Sequence, residues 1–144
     1  MDDAKIAHLT MVQEVIGRMA SNSLALKSLA ATVAAAIIAL AASQSEQGGD
    51  ASTVALMTLL PLAIFWFLDA YYLRIEKAYR GLFDAVRRGQ AVEAFTMDYR
   101  PFKAGLVETL RIGVLNPVMG VYPALMVLVF VIANIVGVTA DVGT

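Results

Sequence analysis

Apolar residues gather into three long stretches, at 24–42, at 54–67 running on into Tyr72, and at 118–138, with polar or turn-forming residues between them. A helix rises about 1.5 Å per residue, so roughly 20 apolar residues cross a hydrocarbon layer of about 30 Å. Backbone groups in lipid must find partners within their own segment, so stretches of this length predict helices. The alternating runs of about ten residues that mark a membrane barrel are missing. The pattern therefore predicts an all-α membrane protein with three transmembrane helices, forming a single membrane domain over 1–144.

Outside these stretches the pattern becomes amphipathic. In 1–22, Ile6, Leu9, Met11, Val12, Ile16 and Met19 recur at helical spacing among Lys5, His8, Gln13, Glu14 and Arg18, which predicts an amphipathic helix on the inner side of the membrane. Ser21, Asn22 and Ser23 offer a break and a new cap before the first span at 24–42, with Lys27 snorkelling to the interface. That span carries Ala30, Ala31, Ala34, Ala35, Ala36, Ala39, Ala41 and Ala42, which read either as a close-packing face or as good helix formers only. After an outer loop at 43–52, one helix is expected over 51–89 with Pro61 as its only break. Its span covers 53–72, and Tyr72, Ile75, Tyr79, Leu82, Phe83 and Val86 then carry it into the cytoplasm, with Glu76 and Arg80, and Asp84 and Arg88, spaced to pair. Gly89 and Gln90 end it. The rest of a cytoplasmic segment at 73–115 reads as irregular chain, a turn at Tyr99, Arg100 and Pro101, and a short interfacial helix over 102–115 with Lys103, Glu108 and Arg111 outward. Asn116 and Pro117 make a cap and first turn for the third span at 117–138, which Pro123 should bend, and 139–144 form an outer tail.

Charge gives these spans a direction. All 11 lysines and arginines fall in the N-terminal arm or the central segment, whereas the loop at 43–52 holds Glu46 and Asp50 without a base and the tail adds only Asp141. This asymmetry predicts a cytoplasmic N-terminus and central segment and a C-terminus outside. An apolar content of 59% and a mean hydropathy of +0.70 exceed what a soluble domain of one core uses. The acidic start at Asp2 and Asp3, with no short basic region before an apolar core, argues against a cleaved signal peptide. Lack of cysteine removes disulfides and thiolate chemistry, and a net charge of −1 gives no overall attraction to nucleic acid.

Candidate chemistry is sparse. His8 is the only histidine and reads as an interfacial polar residue; no metal-ligand spacing and no nucleophile or metalloprotease motif occurs, so neither an enzyme nor a bound cofactor or metal is expected. Asp69 follows Trp66 and precedes Tyr71 and Tyr72 at the inner end of the second span. It reads either as a structural partner of Arg74 or Lys27 or as the lining of a permeation path. Asn134 poses a similar choice between interhelical hydrogen bonding and pore lining, and Asn116 is a further pore or gate candidate. On the inner side, Arg74, Lys77, Arg80, Arg87 and Arg88 could hold phosphates while Tyr72 or Tyr79 stacks a base. The same residues also fit a plainer origin, with bases placed by membrane orientation and rings placed by packing.

The run FWFLDAYYLRIEK at 65–77, continued by YRGLFDAVR at 79–87, and the segment RMASNS at 18–23 with Leu26 and Lys27 resemble small bacterial membrane proteins encoded beside nucleotidyltransferases in anti-phage loci. The resemblance covers about 11–88, has WxxDAYYLRxE as its core, and within that group is nearest to the membrane effectors of Hailong-type defence. It implies an oligomeric ion channel held shut by a nucleotide or short single-stranded DNA oligomer, which a partner nucleotidyltransferase makes. Release of the ligand during infection would open the channel and arrest growth. Three helices cannot enclose an aqueous path alone, so a homo-oligomer, a tetramer, is expected. A non-conducting scaffold that recruits a partner to the membrane is the alternative, while few intramembrane polar groups and no inverted repeats speak against a transporter.

Overall fold

Residues 3–46, 53 and 56–142 are described by a computed structural model of the chain. Among them every regular element is helical. Helix α1 (Asp3–Glu46) runs for 44 residues without interruption, so the break expected at Ser21, Asn22 and Ser23 does not occur. Ser23 does not cap a new helix; its hydroxyl is spent on a carboxylate of the neighbouring helix. At about 1.5 Å per residue α1 is roughly 66 Å long, more than twice the thickness of a hydrocarbon layer. By length and composition it is the one helix among the described residues that meets the full requirement for crossing a membrane, with a mean hydropathy of 2.1 over its most apolar window.

Helix α2 (Leu59–Arg87) starts later than the pattern suggests. Residues 56 and 57 are also helical and a turn at Thr58 parts them from α2, so the break expected at Pro61 falls three residues before it, with the proline, which has no N–H to continue the ladder, in the first turn of α2. The expected outer loop falls largely on 47–52, outside the described residues. At the other end α2 stops where Gly89 and Gln90 were expected to stop it. Gly89 adopts φ +69°, and its N–H donates to Val86 O (3.1 Å) while Gln90 N–H donates to Ala85 O (3.0 Å). This is the paired closure of a helix C-terminus that favours glycine at the left-handed position.

Past residues 88–99, which are irregular, a single 3-10 turn (Arg100–Phe102) leads to α3 (Leu106–Leu115), a second such turn (Pro117–Met119) and α4 (Val121–Val142). Lys103, Glu108 and Arg111 do face outward. Asn116 caps as its position suggests, its Oδ1 accepting from Val118 N–H at 3.0 Å. Pro123 lies in the first turn of α4, so the bend expected there has no lost hydrogen bond to cause it.

α1 and α2 form an antiparallel hairpin with two separate cores. One joins Ala30 and Ala34 of α1 to Leu62 and Leu73 of α2, to Met119 of the second 3-10 turn and to Tyr122 and Val129 at the start and middle of α4. The small side chains of α1 thus serve close packing inside the chain on one face, while Ala31, Ala35 and Ala39 remain exposed on another. The second core joins Val12 and Ile16 to Leu82 and Val86, with Leu9, Tyr79, Phe83, Met97 and Phe102 around it. The apolar face that α2 carries beyond Tyr72 is therefore covered by the first turns of the same chain.

Gly81 lets the 3-10 turn reach α2. A Cβ at Gly81 would stand 3.0 Å from Phe102 Cβ, so the Gly81→Val variant should push the turn off the helix. The expected cost is about 1–3 kcal/mol, and hydrogen exchange should rise across 95–103 before it rises in α4. Unchanged exchange there would show that Phe102 repacks without loss.

Candidate functional site

Two places in the fold concentrate polar side chains. The first lies between α1 and α2 at the boundary of the apolar core. Ser23 and Lys27 are four residues apart on α1 and so share a face, and both point to Asp69 on α2. The Ser23 hydroxyl donates to Asp69 Oδ1, the Lys27 ammonium donates to Asp69 Oδ2, and Lys27 also donates to Ser23 Oγ at 2.7 Å. Asp69 has no exposed surface and Lys27 retains 16%. Of the two partners considered for Asp69, the structure selects Lys27. Arg74 turns elsewhere, donating from Nε (3.1 Å) and Nη2 (2.6 Å) to the carbonyl of Ala104. Tyr122 enters from α4, fully buried and close enough to Asp69 to feel its charge, although its hydroxyl makes no well-formed hydrogen bond. A carboxylate removed from water in this way must be neutralised, and the Lys27 ammonium with the Ser23 hydroxyl does so at both oxygens.

The second lies at the far end of the hairpin, where the first turns of α1 meet 86–95. Lys5 Nζ donates to Arg87 O (2.9 Å), and His8, 5% exposed, approaches Thr96 O with Nε2 at 2.7 Å. Because a carbonyl only accepts, Nε2 carries the proton in this contact. The His8 ring faces Phe95 with centroids 5.9 Å apart. His8 is thus a buried tie between α1 and the irregular segment, not an interfacial residue in contact with solvent.

The proposed phosphate-holding residues are dispersed along α2, and most are already engaged. Arg80 grips Glu76 through Nε (2.8 Å) and Nη2 (2.7 Å). Arg87 and Arg88 both reach Asp84, at 3.1 and 3.6 Å, which realises the four-residue pairing read from the sequence and adds the three-residue one. Arg87 and Arg88 form exposed pairs with Asp84 worth only about 0.3–0.5 kcal/mol each, so an anionic ligand could displace them, whereas the Glu76 carboxylate that Arg80 holds is buried and would be stranded. Lys77 is exposed.

Of the proposed stacking rings, Tyr79 packs at 4.9 Å on Tyr99 and belongs to the second core. Burial pushes its hydroxyl above the ordinary tyrosine range, helped by Tyr99. A ring held this way is structural. Tyr72 meets Tyr71 edge-on at 6.2 Å and is partly buried.

Among the pore candidates, Asp69 is sealed in the ion pair and Asn116 is a cap. Asn134 is exposed on α4, its Nδ2 donating to Phe130 O at 2.7 Å within its own helix. The roles of Ser23 and Tyr122 were not read from the sequence. The spacing of Ser23 and Lys27 could have pointed to Ser23, whereas nothing local distinguishes Tyr122 from an interfacial ring.

No protein-family model, curated protein or solved structure matches this chain.

Proposed function

We propose that the chain is the three-span subunit of a homo-oligomeric ion channel, without catalytic activity, controlled from the cytoplasmic side by a nucleotide or short DNA oligomer. One observation carries the reading. The hairpin holds Lys5, Arg18 and Lys27 of α1, Arg74, Lys77, Arg80 and Arg87 of α2 and Arg88 just past it in one half, while Leu29, Leu40, Leu60 and Ile64 are exposed in the other half, where the sequence has no base between Lys27 and Arg74. A surface with that much exposed apolar area calls for lipid or another subunit, and a basic half calls for the cell interior. On this reading α1, α2 and α4 cross the inner membrane, with the N-terminus inside and the C-terminus outside. The resemblance of 65–87 to nucleotidyltransferase-linked membrane effectors supplies the ligand class, the partner enzyme and the role in anti-phage growth arrest.

The arrangement with Asp69 neutralised by Lys27 is the closed one. A ligand shifts it only by binding closed and open arrangements unequally, and the weakly held Arg87 and Arg88 are the groups able to trade their carboxylate for phosphates. Dye and ion leakage from liposomes holding the purified protein tests the channel. Leakage that changes at least tenfold on adding or removing a short deoxyoligonucleotide is expected, and the Arg87→Glu/Arg88→Glu double variant should lose that response. Tight vesicles under all these conditions would sink the channel.

The pairing of nearly all candidate cations with carboxylates or carbonyls also suits a second reading, a non-conducting anchor that recruits a protein partner. In that case the double variant loses the partner in co-purification and leaves membrane potential unaltered.

A further inference from the structure

A cavity of about 210 Å³ lies between the first two turns of α1 and the segment after α2, lined by Lys5, His8, Val86, Gly89, Gln90 and Phe95 among others. Three features set it apart from an ordinary packing gap. Phe95 stands at φ +60°, a left-handed conformation that bulky residues without glycine's freedom rarely adopt. The residue lines the cavity, its ring lies beside that of His8, and 46% of its surface remains exposed. Strained backbone that presents an aromatic side chain to a cavity is the kind of outlier that marks a binding position.

Charge supplies the second feature. Lys5 is the one charged residue of the lining, and it spends one of its three donors on Arg87 O. Two donors remain for an anion. Size supplies the third: with about 30 Å³ for each liquid water, the space equals roughly seven waters, below the 300–1,000 Å³ typical of drug-sized ligands. One planar ring system fits; an oligomer does not.

We infer that this cavity binds a flat aromatic anion of mononucleotide size, its ring against Phe95 and its anionic group on the Lys5 ammonium. This deepens the nucleotide reading above and rests on it for the choice of probe, while the site stands on its own geometry. If the ligand is an oligomer, one terminal unit occupies the cavity and the remaining phosphates run out toward Arg87 and Arg88. The position is well suited to control, because α1, the end of α2 and the irregular segment all contribute to it.

Calorimetric titration of the full-length, detergent-purified protein tests the inference. 2′-Deoxyadenosine 5′-monophosphate is expected to bind at one site per chain, with deoxyadenosine and inorganic phosphate each at least tenfold weaker. Phe95→Gly removes the ring and relieves the backbone, so it should weaken binding at least tenfold while the melting temperature holds or rises. Phe95→Leu, which keeps apolar bulk, and Lys5→Gln should weaken binding similarly. No binding of any probe, equal affinity for the nucleoside and the monophosphate, or wild-type affinity in Phe95→Gly would each overturn the site. A channel that still answers to oligonucleotide in the Phe95→Gly background would remove this site and leave the channel standing, whereas probe binding in vesicles that never leak would do the reverse.

Discussion

Asp69→Leu should be among the most damaging single substitutions in this chain, because it leaves the Lys27 ammonium beside an apolar core with no counter-charge and only the Ser23 hydroxyl to accept from it. Removing one member of a buried ion pair costs about 3–5 kcal/mol. The complementary variant Lys27→Met should cost a similar amount by stranding the carboxylate. The informative variant is the double one. With Asp69→Leu and Lys27→Met together, no charge remains to be desolvated, and stability should return to within about 1–2 kcal/mol of the parent or exceed it. Thermal unfolding in detergent measures all four corners of the cycle. Additive single and double losses would mean that Lys27 and Asp69 do not act as a pair. If the pair holds the closed arrangement, the same double variant should raise leakage in vesicles despite its recovered stability, which separates specificity from strength.

Leu82→Ala should come next, at about 2–5 kcal/mol. Leu82 has no exposed surface and lies with Val12, Ile16 and Val86 in the core that fastens the start of α1 to the end of α2. The cost comes from the methyl groups removed and from a cavity between two long helices that collapses only in part. Leu60, 70% exposed on α2, is the control, and its alanine variant should leave the protomer's stability within about 0.5 kcal/mol of the parent. In the assembled state Leu60→Ala can still alter subunit association, which size-exclusion chromatography reports separately. Proteolysis of Leu82→Ala should release the first 20 residues sooner than it attacks the rest. Equal losses for the two variants would mean that the second core contributes little.

Much of the architecture was legible along the chain because it depends on local chemistry. Apolar length specified long helices, the spacing of Glu76 with Arg80 and of Asp84 with Arg88 specified their pairing, Gly89 specified the end of α2, and Asn116 specified a cap. Each of these depends on groups within about four residues. The expectations that failed share a cause. Ser21, Asn22 and Ser23 resemble a break when read locally, and Pro123 resembles a kink. A serine hydroxyl with a carboxylate within reach on another helix has no need to cap, and a proline in a first turn breaks no bond. Which of these applies depends on where a helix begins and what stands beside it.

By itself the sequence determined an all-helical chain with its bases gathered away from one end, since hydropathy and helical period act over neighbouring residues. Only the tertiary structure decided that Asp69 closes on Lys27 and Ser23 and not on Arg74, that Tyr79 is a core ring, that His8 ties α1 to Thr96, and that Phe95 is turned toward a cavity. Those outcomes join residues 42 to 88 positions apart or rest on a strained backbone. The register of an antiparallel hairpin settles such distances, and no local pattern encodes it.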